Sequence, residues 1–99
     1  MAEADLIERA RYYRRNAGDE VAARLFDTVI DALHAIERMP GIGSPRVGER
    51  CDIPGLRVRR IPGFPCDWFY VTHPEHLDVV RLLADSQDLA AILDDLTEE

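Results

Sequence analysis

Apolar residues recur every three or four positions in the first 38 residues of the chain. Residues 3–15 read as an amphipathic helix, with charges between the apolar positions Leu6, Ala10 and Tyr13. A second helix is predicted from about Glu20 to Arg38, on the stripe Ala22, Leu25, Phe26, Val29, Leu33 and Ile36. Gly18 can end the first helix, and Asp19 can cap the second. So short a link predicts an antiparallel helical hairpin.

The pattern changes after the second helix. Residues 39–55 are rich in Gly and Pro, which predicts an ordered loop running around the domain. The period of the apolar residues then becomes two, as in strands, around residues 56–59, 68–71 and 79–82. We therefore predict an α+β fold: a two-helix hairpin packed on a small three-strand antiparallel sheet. A short C-terminal helix should follow, capped by Asp85 or Ser86, with apolar positions Leu89, Ile92, Leu93 and Leu96.

Alternation along the strands separates two faces of the sheet. We expect the hairpin to cover the face formed by Leu56, Val58, Phe69, Val71, Val80 and Leu82. The opposite face then carries cationic and aromatic side chains, which form the candidate binding site: Arg57, Arg59, Trp68, Tyr70 and Arg81. The structural alternative is that Trp68 and Tyr70 pack beneath the C-terminal helix while the arginines pair with its acids, Asp85, Asp88, Asp94 and Asp95.

Composition limits the function classes. A chain of 99 residues with 46% hydrophobic content should form one domain spanning residues 1–99. Its net charge of -7 is concentrated at the C-terminal end, so general nucleic-acid binding is not expected. The two cysteines form no CxxC pair, and the N-terminus has no long apolar run. We therefore expect a cytoplasmic protein with no membrane span.

No cofactor or metal site is predicted. His73 and His76 flank a Pro-Glu turn with Cys66 one strand away, but these residues lack four convergent ligands. The turn is therefore interpreted as a solvated hairpin. His34 is predicted to be a partly buried packing residue beside the stripe of the second helix. The Gly41-Ile42-Gly43 stretch lacks the helix and lysine that a phosphate loop requires.

The order of these segments resembles the ParE/RelE superfamily of toxins from type II toxin–antitoxin systems. The resemblance runs from about Ala4 to Leu93, and its more specific pieces are Pro-Gly-Ile-Gly-Ser-Pro-Arg at 40–46, Gly-Leu-Arg at 55–57, Phe-Tyr at 69–70, Arg-Leu-Leu at 81–83 and Asp-Leu at 88–89. It implies a small toxin held inactive by a cognate antitoxin encoded beside it. RelE-like members cut mRNA in the ribosome, whereas ParE-like members poison DNA gyrase without that chemistry.

Two departures from the family bear on the activity. A ribonuclease needs cations beside the phosphate, a base and an acid, and the resemblance offers Arg57, Arg59, Arg81 and Tyr70 for these roles. Many members follow the last strand with a His and then an Arg, but here these positions are Ala84 and Gln87. The absence of this His and Arg favours a ParE-like toxin that binds DNA gyrase. The alternatives are a RelE-like mRNA endonuclease and a degenerate member that only binds antitoxin.

The family resemblance also predicts where partners bind. Members usually open with a short strand, whereas this chain enters its first helix near Glu3 and Ala4. A sheet with an unpaired edge favours pairing with another chain, either a second copy or the antitoxin. On the hairpin, Tyr12, Leu25 or Val29 is expected to leave a groove for an amphipathic antitoxin helix.

Overall fold

The helical hairpin is present in the computed structural model, which describes residues 2–85 of the chain. Helix α1 spans Ala2–Ala17 and helix α2 spans Asp19–Arg38, so both predicted helices are confirmed. Gly18 joins them with a φ of 93°, a backbone conformation that favours glycine. The predicted cap at Asp19 is wrong, because Gly18 occupies the cap position and Asp19 is the first residue of α2. Its carboxylate there complements the helix dipole.

The Gly- and Pro-rich loop is ordered and contains more helix than its composition suggests. A 3-10 turn spans Pro40–Ile42, and a short helix α3 spans Arg46–Arg50. Helix α3 packs directly on the strand that follows it. A side chain at Gly48 would place its Cβ 2.6 Å from the backbone oxygen of Leu56 and 2.9 Å from that of Ile53. The close approach of α3 to the sheet therefore requires glycine at this position.

The three predicted strands form the expected antiparallel meander. Strands β1 (Leu56–Arg60), β2 (Cys66–Thr72) and β3 (Leu77–Ala84) lie in the order β1-β2-β3. The register places Arg57 opposite Tyr70 and Arg59 opposite Trp68. A bulge interrupts the pairing of β2 with β3 between Phe69 and Tyr70. An extra residue in β3 changes which side chains share a face on either side of the bulge.

Along β1 and β2, the hairpin covers the opposite face of the sheet from the one we predicted, whereas Leu82 of β3 faces the helices as expected. Trp68, Tyr70 and Leu82 belong to the core formed with α1 and α2. Leu56 and Phe69 lie on the other face, in a second cluster with Val47 and other residues of the loop. Both faces of the sheet are therefore covered, one by helices and the other by α3 and its loop. Alternation cannot identify the helix-facing side when both sides are apolar.

Helix α2 buries a narrower stripe than its sequence suggested. Leu25, Val29 and Ile36 are completely buried, so Leu25 and Val29 do not line an open groove. Phe26, in contrast, is 48% exposed. His34 is also exposed and does not pack in the core, contrary to prediction. The sheet covers only one side of the helix, which leaves the flanks of the apolar stripe in solvent.

Both outer edges of the sheet are partly occupied from within the chain. On β1, Val58 exchanges both backbone hydrogen bonds with Ser44, at 2.8 and 3.0 Å. On β3, the backbone N–H of Leu82 donates to the carboxylate of Asp5 in α1, at 3.0 Å. Residues 2–85 contain the three strands and no strand before α1. The predicted C-terminal helix, with Gln87, lies outside the described residues.

Candidate functional site

Four of the predicted site residues share one face of the sheet, but that face points toward the helices. The register groups Arg57 and Arg59 with Tyr70 and Trp68. Trp68 is only 2% exposed and Tyr70 is fully buried. The indole Nε1–H of Trp68 donates to the backbone oxygen of Val29 in α2, at 3.0 Å. The expected exposure of these aromatic rings is therefore wrong, because both rings complete the core beneath the hairpin.

Tyr70 and Arg57 hold the 3-10 turn against the sheet. The Tyr70 hydroxyl accepts the backbone N–H of Gly43 at 2.9 Å and donates to the backbone oxygen of Pro40 at 2.7 Å. The Arg57 guanidinium donates to the oxygens of Gly43 at 2.7 Å and Gly41 at 3.3 Å. The polar atoms of both side chains thus bind backbone groups of the loop, and among these groups the buried N–H of Gly43 depends on its protein partner.

Arg81 occupies a different position from the other four residues. The register pairs it with Phe69, on the far side of the bulge from Val79. Its guanidinium forms a two-pronged ion pair with Asp5, at 2.7 and 2.9 Å. Asp5 is only 7% exposed and also accepts the Leu82 N–H. Together these three bonds join α1 to β3 across most of the sequence, so the predicted grouping of Arg81 with the arginine–aromatic face is wrong.

The last two arginines of β1 differ in their surroundings. The Arg59 side chain is half-buried and, within residues 2–85, its guanidinium has neither a hydrogen-bond nor an ion-pair partner. Arg60 is exposed and binds both carboxylate oxygens of Asp85, at 2.6 and 2.9 Å. That hydrogen bonding raises the pKa of Arg60 and lowers the pKa of Asp85. Burial raises the pKa of Asp67, which also contacts Arg60.

The alternative interpretation of the arginine–aromatic face is correct in part. Arg60 pairs with Asp85, one of the acids expected to neutralise arginines. Trp68 and Tyr70 do pack under a helix, but within the described residues that helix is α2. The burial of Cys66 raises the pKa of its thiol to about 11, which disfavours the reactive thiolate near neutral pH.

Two contacts were not anticipated from the sequence. Asp5 is separated from Arg81 by 76 positions, and nothing in the helical pattern distinguishes it from the exposed acids of α1. Asp78 joins His73 and His76 at the turn between β2 and β3. Here a signal was available, since Asp78 follows His76 by two positions and the strand period brings such residues to the same side.

The surface of the hairpin has two depressions. One, of about 590 Å³, lies between the helices and is lined by Ala10, Arg14, Asp19, Ala22, Ala23, Phe26 and Asp27. We call it the hairpin groove. The second, of about 520 Å³, runs along α1 beside the half-exposed Ile7. The lining of the hairpin groove thus combines small alanines, the half-exposed Phe26 and charged residues.

Comparison with known proteins agrees with this architecture. A structure of the chromosomal ParDE toxin–antitoxin system from P. aeruginosa is similar over 84% of this chain and 86% of its own, with a TM-score of 0.70 and 19% identity. No curated protein matches the chain significantly. Within residues 2–85 no helix is long and apolar enough to cross a membrane. The family profile of the ParE toxin of the type II toxin–antitoxin system ParDE matches residues 1–89, and the chain therefore belongs to the ParE toxin family.

Proposed function

We propose that this chain is a toxin that acts by binding a protein target, which the family resemblance identifies as DNA gyrase. A cognate antitoxin neutralises it. The observation that carries the proposal is the engagement of the candidate catalytic groups in structural contacts. Arg57 and Tyr70 bind the loop backbone, and Arg81 binds Asp5. A ribonuclease needs such groups directed at a phosphate, where they can stabilise developing charge or move a proton.

Arg59 is the candidate for direct contact with the target. It is half-buried, and no carboxylate within the described residues neutralises it. A half-buried arginine whose guanidinium has no partner among residues 2–85 fits a bidentate contact with a carboxylate of a protein partner. The other members of the predicted site, Arg57, Trp68, Tyr70 and Arg81, support binding indirectly by fixing the loop, the sheet and α1.

The first experiment compares two activities of the same purified protein. We expect it to inhibit supercoiling by DNA gyrase and to leave ribosome-bound mRNA intact. Arg59→Ala should weaken the inhibition without changing the urea midpoint of unfolding. Arg50→Ala is the matched control, because Arg50 is an exposed arginine at the end of α3. Codon-dependent cleavage of mRNA would overturn the proposal, and so would full gyrase activity at saturating toxin.

For the antitoxin we propose the hairpin groove as the docking site of an amphipathic helix. The groove is lined by small alanines and the half-exposed Phe26, which suits the helix-in-groove mode of peptide recognition. Its position differs from the expected one, because Leu25 and Val29 are buried and the exposed Tyr12 does not line the groove. Addition of an antitoxin strand is less favoured, because backbone groups at both sheet edges already have partners within the chain. Val58 bonds to Ser44, and the Leu82 N–H bonds to Asp5.

The groove is tested with a matched pair of apolar surface residues. Phe26 lies in the groove, whereas Met39 is 63% exposed at the end of α2 and outside it. The toxin is co-expressed with the product of the adjacent small gene and recovered through a tag on the toxin. Phe26→Ser should lose the partner, while Met39→Ser should retain it. Equal recovery with both variants would place the antitoxin elsewhere, and no recovery with the unaltered chain would refute the partnership.

The same proposal places the toxin in the cytoplasm. Cys51 and Cys66 are free thiols, as expected for a protein of the reducing cytoplasm. A hetero-oligomer with the antitoxin would cover the half-exposed Phe26 and reduce the apolar surface in solvent. Size-exclusion chromatography with light scattering distinguishes this assembly from self-association of the toxin, which predicts a concentration-dependent mass without antitoxin.

A further inference from the structure

The turn between β2 and β3 brings two histidines and an aspartate together. Residues 73–76, His-Pro-Glu-His, connect the strands, and the backbone N–H of His73 donates to the oxygen of His76 at 2.9 Å. The two imidazole rings stack, with centroids 4.2 Å apart and planes inclined by 10°. Asp78 is the second residue of β3 and lies beside both rings. The turn thus holds three potential metal ligands on one short, closed segment.

The spacing of the ligand atoms suits a small cation. Nε2 of His73 lies 2.9 Å from Oδ2 of Asp78, and Nε2 of His76 lies 3.7 Å from the same oxygen. One ligand atom from each residue lies within 4.8 Å of the other two. Ligands around tetrahedral zinc are about 3.3 Å apart, since each is about 2 Å from the ion. All three side chains are exposed, so solvent and ions reach them.

The charge of the turn also favours a cation. Residues 71–80 contain two carboxylates, Glu75 and Asp78, and no arginine or lysine. The sequence analysis considered Cys66 with the histidines and found no set of converging ligands. In the structure Cys66 is buried at the opposite end of β2, and Asp78 instead is the third potential ligand. Imidazole nitrogen with one carboxylate is a donor set preferred by zinc and its neighbours over magnesium or calcium.

We propose that His73, His76 and Asp78 form an open, three-ligand site for a divalent transition cation such as Zn²⁺. With three protein ligands, the ion keeps a coordination position for water or for a donor from another molecule. The bound ion clamps the end of the β2–β3 hairpin. Since it binds the folded state, a free concentration of about 100 times Kd raises the folded-to-unfolded ratio roughly 100-fold. The site is independent of the gyrase and antitoxin proposals.

The test uses the untagged, metal-stripped full chain and calorimetric titration with zinc chloride. We expect one zinc ion per chain and no binding of magnesium. His76→Gln and Asp78→Asn should each weaken zinc binding at least about tenfold. His34→Gln and Cys51→Ser are the controls, since each removes an exposed potential ligand outside the cluster.

Each result decides for or against the site. Stoichiometric binding that is lost in the His76 and Asp78 variants and kept in both controls supports it. The proposal is refuted by an absence of zinc binding, by equal binding in all variants, or by loss of binding in a control. The fluorescence of Trp68, the single tryptophan, is recorded for every variant. It confirms that a loss of binding does not reflect a loss of fold.

Discussion

Removal of one hydroxyl from Tyr70 should destabilise the protein far more than the same change elsewhere. In Tyr70→Phe the ring keeps its place in the core, but Gly43 loses the acceptor of its buried N–H and Pro40 loses a donor. A buried donor without a partner costs about 1–3 kcal/mol. The Pro40 carbonyl belongs to an exposed residue, so water can replace the lost donor there. We expect a total loss of about 2 kcal/mol in the free energy of unfolding.

Urea unfolding followed through Trp68 fluorescence measures this loss. Trp68 lies on β2 and is buried against α2, so its fluorescence emission reports on the packing of the helical hairpin on the sheet. A loss of about 2 kcal/mol corresponds to a decrease of roughly 1–2 M in the urea midpoint for a domain of this size. The melting temperature should fall by about 8–16 °C.

Tyr12 provides the control for the same chemical change. It is 43% exposed on α1, and its hydroxyl has no hydrogen-bond partner within residues 2–85. Tyr12→Phe should therefore change the unfolding free energy by less than about 0.5 kcal/mol. Equal stability of the two variants would refute the reasoning, because it would mean that the Tyr70 hydroxyl does not hold the loop. A stable Tyr70→Phe variant without toxicity would instead indicate a direct functional role.

Three further predictions use the same urea titration. Asp5→Ala should lose about 3 kcal/mol or more, because it removes a buried carboxylate that binds Arg81 and a backbone N–H. Gly48→Ala should lose about 1–3 kcal/mol through collision with backbone oxygens, whereas Gly41→Ala, with open space around it, should be near neutral. The pKa of the Cys66 thiol is about 11 in the folded protein and 9.0 in the reference state, so the unfolded chain loses this proton first as pH rises. The free energy of unfolding should therefore be unaffected by this group below pH 9 and should fall by about 3 kcal/mol as pH rises to 11. A free energy of unfolding that stays constant from about pH 9 to 11 would contradict the assignment of Cys66. Losses from Asp5→Ala and Gly48→Ala no larger than that from Gly41→Ala would contradict the other two.

The elements of the fold could be predicted because their signals are local. Helices α1 and α2 follow from a three- to four-residue period, and Gly18 marks the break between them. The strands follow from a period of two with turn residues between them. Helix α3 could not be predicted, because its five residues contain a glycine and form too short a segment to show a period. Its formation depends on packing against β1.

The candidate site could be predicted only as a set of residues on a face. The sequence placed Arg57, Arg59, Trp68 and Tyr70 together, and the register confirms that grouping. It could not show that their aromatic rings are buried, because that depends on which layer covers each side of the sheet. Nor could it show that Arg57 would bind the loop backbone, since that contact joins residues 14 and 16 positions apart.

The sequence alone determined the helical hairpin, the order of the strands and the resemblance to the ParE/RelE superfamily. These features depend on patterns within each segment and on their succession. The tertiary structure decided the facing of the sheet, the pairing of Asp5 with Arg81 and the meeting of Asp78 with two histidines. Each of these depends on how covered faces, a bulge and a tight turn bring side chains from separate elements together. Such distances are set by packing, and a linear pattern does not contain them.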